Sequence, residues 1–295
     1  MIRRLDHHEI DFEKYTECIE KSVQKNMYAR REILDFWCES WDILVWKDYE
    51  YVMPLPLTKK FSQKFVTCPI FCQQLGIFGS EDSIEINGRF LSYMQANLDI
   101  YLYSFNAGNH FQRDLSFRKN YFIPSGSFAD QKRIFSKGRK SAIKSATHLN
   151  FDLTVLDAAI LEFINRFYKG LSKEKDKKML LDYLQFLHSK EMLKVCSASL
   201  HGELRTVALM ADDGETLYLI GLVSDEKFRI ENPTSFIIDQ ILQHHLEKRN
   251  FSFMGSNVRN IEIFNKSFGA ELKEYPVIQH SKKEVLIQFL KNKLS

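Results

Sequence analysis

Asn232-Pro-Thr-Ser235 opens the run NPTSFIIDQILQHHLEKRN (232–250), which continues as FSFMGS (251–256) and NVRNIEIFNKSFG (257–269). In that order the residues spell a start signal, a helix, a short buried strand, a second helix and a stop. Pro233 precedes Thr234 and Ser235, either of which can cap a helix whose Phe236, Ile237, Ile241, His244 or His245 and Leu246 recur at helical spacing. Glu247-Lys248-Arg249 closes that helix, with cations at the negative end of its dipole. Phe251 and Phe253 alternate with small neighbours as in a half-buried strand, and Gly255-Ser256 breaks it. Ile261, Phe264 and Phe268 then fall at i, i+3 and i+7, and Gly269 stands where a helix end needs positive φ.

Outward from this block, the same periodicities order the rest of the chain. Residues 12–24 and 29–40 have helical spacing, and 43–49 and 51–55 read as strands around a tight Lys47-Asp48 turn, the second ended by Pro54 and Pro56. A short helix at 90–97 and an alternating strand at 99–105 follow, then an irregular polar stretch at 107–116. Residues 130–146 are basic and helical, 156–169 form a helix with one apolar face, 172–178 a charged loop and 177–189 a further helix. Two β-rich runs, 204–210 and 216–223, flank Asp212-Asp213-Gly214 and make the clearest hairpin.

The run from Asn232 to Ile278 resembles the last half of a GNAT (acyl-CoA N-acyltransferase) domain, in the variant found in Fem-type (FemAB-like) peptidoglycan aminoacyltransferases and related bacterial tandem-GNAT proteins. Arg118-Lys-Asn-Tyr121 followed by FSKGRKSAIKSA (135–146) is similar to the strand and basic helix that open that family's second domain. Val52-Met-Pro-Leu-Pro56 and PIFCQQLGIF (69–78) look like the matching part of its first. The resemblance implies an α/β (α+β) protein of two tandem GNAT-like units, each a mixed, mostly antiparallel sheet flanked by helices. The expected boundaries are 1–115 and 116–295, with about the last 15 residues packing back on the first unit.

Composition agrees. At 295 residues, with 44% hydrophobic residues, 24 Phe and 12 Tyr, the chain can fill two cores. No apolar run approaches the roughly 20 residues that span a bilayer, and Met1-Ile-Arg-Arg-Leu-Asp-His-His is too charged to begin a signal peptide, so the expected location is cytoplasmic. Five scattered cysteines argue against a disulfide framework, and Cys68 and Cys72 lack a second ligand pair for zinc, so no metal is expected. A net charge of +3 does not imply DNA binding.

In this family the donor's carrier arm pairs with the backbone of the strand at 217–223, which implicates Leu219, Ile220, Gly221, Leu222 and Val223. Its phosphates would sit on the following loop and helix start, where Thr234 and Ser235 offer amides and hydroxyls, although ordinary helix capping explains those two residues as well. Ser224-Asp-Glu-Lys-Phe-Arg-Ile-Glu-Asn232 contains no glycine and carries Asp225, Glu226 and Glu231, unlike a conventional acetyl-CoA loop. The position at which GNAT acetyltransferases place a proton-donating Tyr is Phe264, so that role does not carry over and no catalytic residue is assigned.

Arg133, Lys137, Lys140 and Lys144 fall on one face if 130–146 is one helix, with Lys132, Phe135 and Arg139 nearby and Gly138 the expected break. That face is either a phosphate-binding stripe or a solvated helix surface. Arg118, Lys119 and Gln74 are further candidates for substrate contacts. His201 with Glu203 reads as a turn, His244-His245 as an interfacial or exposed pair, and Trp37, Trp41 and Trp46 as core. Gly76-Ile-Phe-Gly79 is the nearest thing to a phosphate loop in the first unit, or a plain turn. The resemblance implies an N-acyltransferase or aminoacyltransferase with acyl-CoA or aminoacyl-tRNA as donor. A small-molecule or peptidoglycan-precursor-like amine would be the acceptor, and the alternative is a non-catalytic ligand-binding or scaffold module that kept the fold.

Overall fold

The computed structural model describes residues 1–60, 63–171, 173–255, 257–281 and 283–285. The tail expected to pack back on the first unit therefore lies largely outside the described residues, as do Ser172 and Ser256. In chain order the elements begin with β1 (Ile2–Leu5), α1 (Phe12–Lys21), α2 (Arg31–Trp37), β2 (Ser40–Trp46) and β3 (Tyr51–Lys60). Next come β4 (Gln63–Thr67), β5 (Phe78–Gly79), α3 (Ile84–Asn97), β6 (Ile100–Ser104), β7 (Ser116–Ile123), α4 (Phe128–Ile134), α5 (Lys137–Ser145) and β8 (Asn150–Thr154). They end with α6 (Ala158–Phe167), α7 (Glu174–Ser189), β9 (Leu193–Leu200), β10 (Glu203–Asp212), β11 (Thr216–Ser224), α8 (Pro233–His245), β12 (Asn250–Ser252), α9 (Arg259–Lys266) and β13 (Glu271–Gln279). Among the described residues no helix is long and apolar enough to cross a membrane.

Two compact units result: Met1–Lys119 with the chain from Lys273 onward, and Asn120–Leu272. The strands of the first run β1-β2-β3-β4-β6-β13, and those of the second β8-β9-β10-β11-β12-β7. In both, neighbours are antiparallel except one parallel pair, β4 with β6 and β11 with β12, joined by the crossover helices α3 and α8. Each unit is thus a mixed, mostly antiparallel sheet flanked by helices, a GNAT-like unit, and the chain carries two in tandem. The core of the second lies under α4, α5, α8 and α9, where Phe135, Ile143, Phe236, Ile237, Ile241 and Phe268 meet Tyr121, Ala208, Met210 and Phe251. Helices α6 and α7 pack through a separate set of buried residues, including Ile160, Phe163, Tyr183 and Leu184.

Three local expectations fail for physical reasons. Pro54 and Pro56 do not end β3. Both stand in the segment between Val52, where pairing with β5 stops, and Leu57, where pairing with β4 starts, and the Pro54 carbonyl accepts from Tyr103 Oη at 2.9 Å on that side. No ladder N–H is required of them there. Thr234 and Ser235 do not cap α8: Pro233 is its first residue, and the preceding Asn232 is left-handed (φ 55°) with no side-chain cap bond. The basic segment is broken at Phe135-Ser136, where Phe135 turns into the core and Ser136 caps α5, while Gly138 sits inside the helix. Strands β8 and β9 carried no clear signal, since Lys194, Ser197 and Ser199 interrupt the apolar pattern of β9.

Candidate functional site

Strand β11 leaves its parallel neighbour after three pairs, Thr216 with Asn250, Leu217 with Phe251 and Tyr218 with Ser252. It continues to Ser224 with only β10 beside it. Leu209 pairs with Gly221 and Met210 with Leu219, so Ile220 is an extra residue, a β-bulge at the point where the strands part. The segment Leu219, Ile220, Gly221, Leu222 and Val223 therefore presents a backbone edge that no described strand covers on the β12 side. Gly221 sits in close approach: a Cβ there would lie 3.2 Å from the Tyr168 ring and 3.4 Å from Leu209, so those side chains would have to shift by a few tenths of an ångström.

The glycine-free segment after β11 folds as a 3-10 turn, Glu226–Glu231, and its acids are each paired with a cation. Glu231 meets Arg205 Nε at 2.9 Å, Asp225 faces Lys227 at 3.4 Å and Glu226 pairs with Lys169 at 2.7 Å. Buried Arg205 also holds Glu203 at 2.8 Å and lies 3.4 Å from the centre of the Phe228 ring. The turn is thus pinned to β10, and its negative residues leave little net charge near the start of α8.

That start carries a cation. Arg139 of α5 donates through Nε to Ser267 Oγ at 2.8 Å and through its terminal nitrogen to Ser235 Oγ, and it lies over Phe264 and Phe268, 4.3 and 4.6 Å from the ring centres. Among the described residues no carboxylate pairs with it. Burial pushes its pKa down to about 10, so it stays charged at neutral pH. Asn232 reaches Ser145 Oγ at 3.1 Å, which holds the end of α5 against the start of α8. A half-buried guanidinium with donors to spare, beside the uncapped positive end of a helix, suits a phosphate.

Of the residues singled out from sequence, Leu219–Val223, Thr234, Ser235, Lys140 and Lys144 belong to the second unit. Lys140 spends Nζ on the Arg133 carbonyl at 2.6 Å, while Lys144 is exposed on α5. Arg118 and Gln74 belong to the first unit, where Arg118 donates to Gln279 at 2.8 Å and Gln74 accepts from the Ala107 amide at 2.9 Å. Sequence reasoning passed over Arg139 as a neighbour of the stripe and overlooked Tyr168. The Ser136-x-x-Arg139 spacing, which places Arg139 in the first turn of a capped helix, was the available signal for the former.

In the first unit the corresponding position is filled by the chain itself. Residues 68–79 follow β4, and several of their amides are spent: Cys68 on Leu102, Leu75 on Ser104, Gly76 on Tyr103 Oη, Ile77 on Asn109 Oδ1 and Gly79 on Ser22 Oγ. In Gly76-Ile-Phe-Gly79 the amides of Gly76, Ile77 and Gly79 are thus taken, and Phe78 pairs with Val52 of β3. This unit also has an open cleft of about 670 Å³ between α1 and the β2–β3 turn, in which Lys14, Lys21 and Lys47 are each paired with a carboxylate. Burial pushes the thiols of Cys38, Cys68 and Cys196 up to about 12, far from nucleophilic thiolates.

No family model matches the sequence, and no curated protein matches it. Solved structures do. The chain is similar to FemX, covering 92% of this chain and 96% of that one at TM-score 0.64 and 11% identity. It is similar to an acetyltransferase of the GNAT family from Colwellia psychrerythraea (94% and 98%, TM-score 0.55, 9% identity). It is also similar to a tandem GNAT protein from the clavulanic acid biosynthesis pathway (94% and 97%, TM-score 0.53, 9% identity). At such identities the likeness is one of fold, and it spans both units.

Proposed function

We propose that the second unit transfers an acyl or aminoacyl group from a phosphate-bearing carrier to a primary amine. The carrying observation is the bulged edge of β11, uncovered by any described strand, which leads through the 3-10 turn to a helix start without a side-chain cap, where Arg139 has no carboxylate partner among the described residues. Acyl-CoA or aminoacyl-tRNA, when bound, supplies a carbonyl activated as a thioester or ester. The backbone of Leu219–Val223 orients that carbonyl by hydrogen bonds, and Arg139, with Thr234 and Ser235, holds a carrier phosphate. Lys144, exposed on the same helix as Arg139, extends the cationic surface along the carrier. The acceptor, a small-molecule or peptidoglycan-precursor-like amine, attacks the carbonyl directly. Both donors are cytoplasmic compounds, which is the setting this reading requires.

A second reading, a ligand-binding module that kept the fold, is favoured by Phe264, whose ring offers no proton and lies beneath Arg139. Calorimetric titration with acetyl-CoA, a long-chain acyl-CoA, free CoA and deacylated tRNA separates the readings. Saturable binding of one of them, weakened by Arg139→Gln, supports transfer. Absence of binding by all four overturns it and leaves the module.

A further inference from the structure

A second cleft of the first unit, about 700 Å³, lies between α3 and the edge formed by β1 and β2. Its walls are apolar and largely aromatic. Trp46 stands opposite Ile2 in the β1–β2 ladder, Leu91 and Tyr93 come from α3, and the Phe111 ring is held 4.7 Å from that of buried Phe105. Ile84, the first residue of α3, lines the same cleft and is 44% exposed. A cleft of this size and lining falls within the range of about 300–1,000 Å³ that holds small ligands.

Gly88 also lines this cleft, from inside α3, where only proline is less favourable to a helix. No contact within the described chain calls for it: its φ is not left-handed, and a Cβ built on it meets no atom within 4 Å. The missing side chain leaves open space in the cleft. Three charged side chains line it as well. Glu85 is neutralised by Arg89 at 2.7 Å, and the Arg89 guanidinium lies 5.3 Å from the centre of the Trp46 ring. Arg113 donates to Gln95 at 2.9 Å, and among the described residues no carboxylate pairs with it. The cleft beside α1 differs, since each of its three lysines is paired with an acid.

We propose that this cleft binds an aliphatic chain ending in a single carboxylate. The chain lies across Gly88 against Trp46, Leu91 and Phe111, where it removes apolar surface from water. Its carboxylate meets the Arg113 guanidinium, which keeps further N–H donors after its bond to Gln95. A neutral chain forgoes that ion pair and a cationic one meets a like charge, so the head group sets the preference as much as the chain does. The site lies wholly in the first unit and stands independently of the transfer assigned to the second.

The test is calorimetric titration of the full chain with decanoate, decanol and decyltrimethylammonium, each below its micellar concentration. The result expected is saturable binding of decanoate, about tenfold or more tighter than that of the other two. A bromine-tipped decanoate should quench tryptophan emission in the wild type and lose most of that quenching in Trp46→Phe. Gly88→Leu should abolish binding while the melting temperature holds or rises, because leucine is the better helix former, so the loss is not one of folding. Arg113→Gln should weaken decanoate about tenfold and leave decanol unchanged. Decanoate that fails to bind, binds no tighter than decyltrimethylammonium, or binds Gly88→Leu as it binds the wild type overturns the proposal.

Discussion

The Arg139 guanidinium lies 4.3 Å from the centre of the Phe264 ring while its edge bonds Ser267 and Ser235, so one side chain of α5 joins the start of α8 to the end of α9. Two hydroxyls and two aromatic faces hold a cation that has no carboxylate partner among the described residues.

Replacing Arg139 by Gln removes the charge, both hydroxyl bonds and the cation–π contacts. Affinity for a phosphate-bearing donor is expected to fall by about tenfold or more, the equivalent of a lost charged hydrogen bond of about 1.5–3 kcal/mol. Calorimetry with CoA and tRNA reads this directly, and unchanged affinity for both would remove Arg139 from the site.

Gly221→Ala puts a methyl group 3.2 Å from the Tyr168 ring and 3.4 Å from Leu209. The ring must yield by a few tenths of an ångström, and a stability loss of about 1 kcal/mol is expected, together with a drop in turnover larger than any change in donor binding. A variant that melts and turns over like wild type shows that the ring is free to move away from β11.

In the first unit, Asn109 accepts from the Ile77 amide at 2.9 Å and donates to the Ile77 carbonyl at 2.8 Å, all of it buried. Asn109→Ala strands both backbone groups and should cost about 3 kcal/mol in urea denaturation. Hydrogen exchange should speed up at residues 76–79 and leave β10 and β11 untouched. Loss of protection in both units alike would refute this local reading.

Burial lowers the pKa of His245 below its usual 6.5, with a smaller contribution from His244, and its Nε2 is buried without a partner among the described residues. The folded state therefore resists protonation more than the unfolded chain does. Stability from this source is complete above about pH 6.5 and is lost as pH falls through the unfolded value toward the lower folded one. Denaturation midpoints measured from pH 7.5 to 5 should fall less steeply for His245→Gln, and parallel curves would count against it.

Much of this architecture was legible because two kinds of signal are local. Phe236, Ile237 and Ile241 recur at helical spacing whatever surrounds them, and Gly214 and Gly269 mark turns that take positive φ, 95° and 70°. Other features depend on partners distant in sequence. The prolines of β3 are tolerated because of where β4 and β5 stop pairing, the bulge at Ile220 exists only against β10, and the Tyr168 ring approaches β11 only where Gly221 lies beneath it. Asp225, Glu226 and Glu231 looked hostile to phosphate in a linear reading because two of the cations that neutralise them, Arg205 and Lys169, come from other stretches of chain, while Lys227 lies within the turn itself.

Strand β13 closes the sheet of the first unit by pairing Val277 with Ser104, and His280 bonds the Ile100 carbonyl across 180 residues of sequence. During synthesis the amino-terminal unit consequently leaves the ribosome with the edge of β6 bare, and it stays so until the whole of the second unit has been translated. At roughly 5–20 residues per second that interval lasts on the order of ten seconds or more, a window in which an unpaired edge recruits either a chaperone or a neighbouring nascent chain.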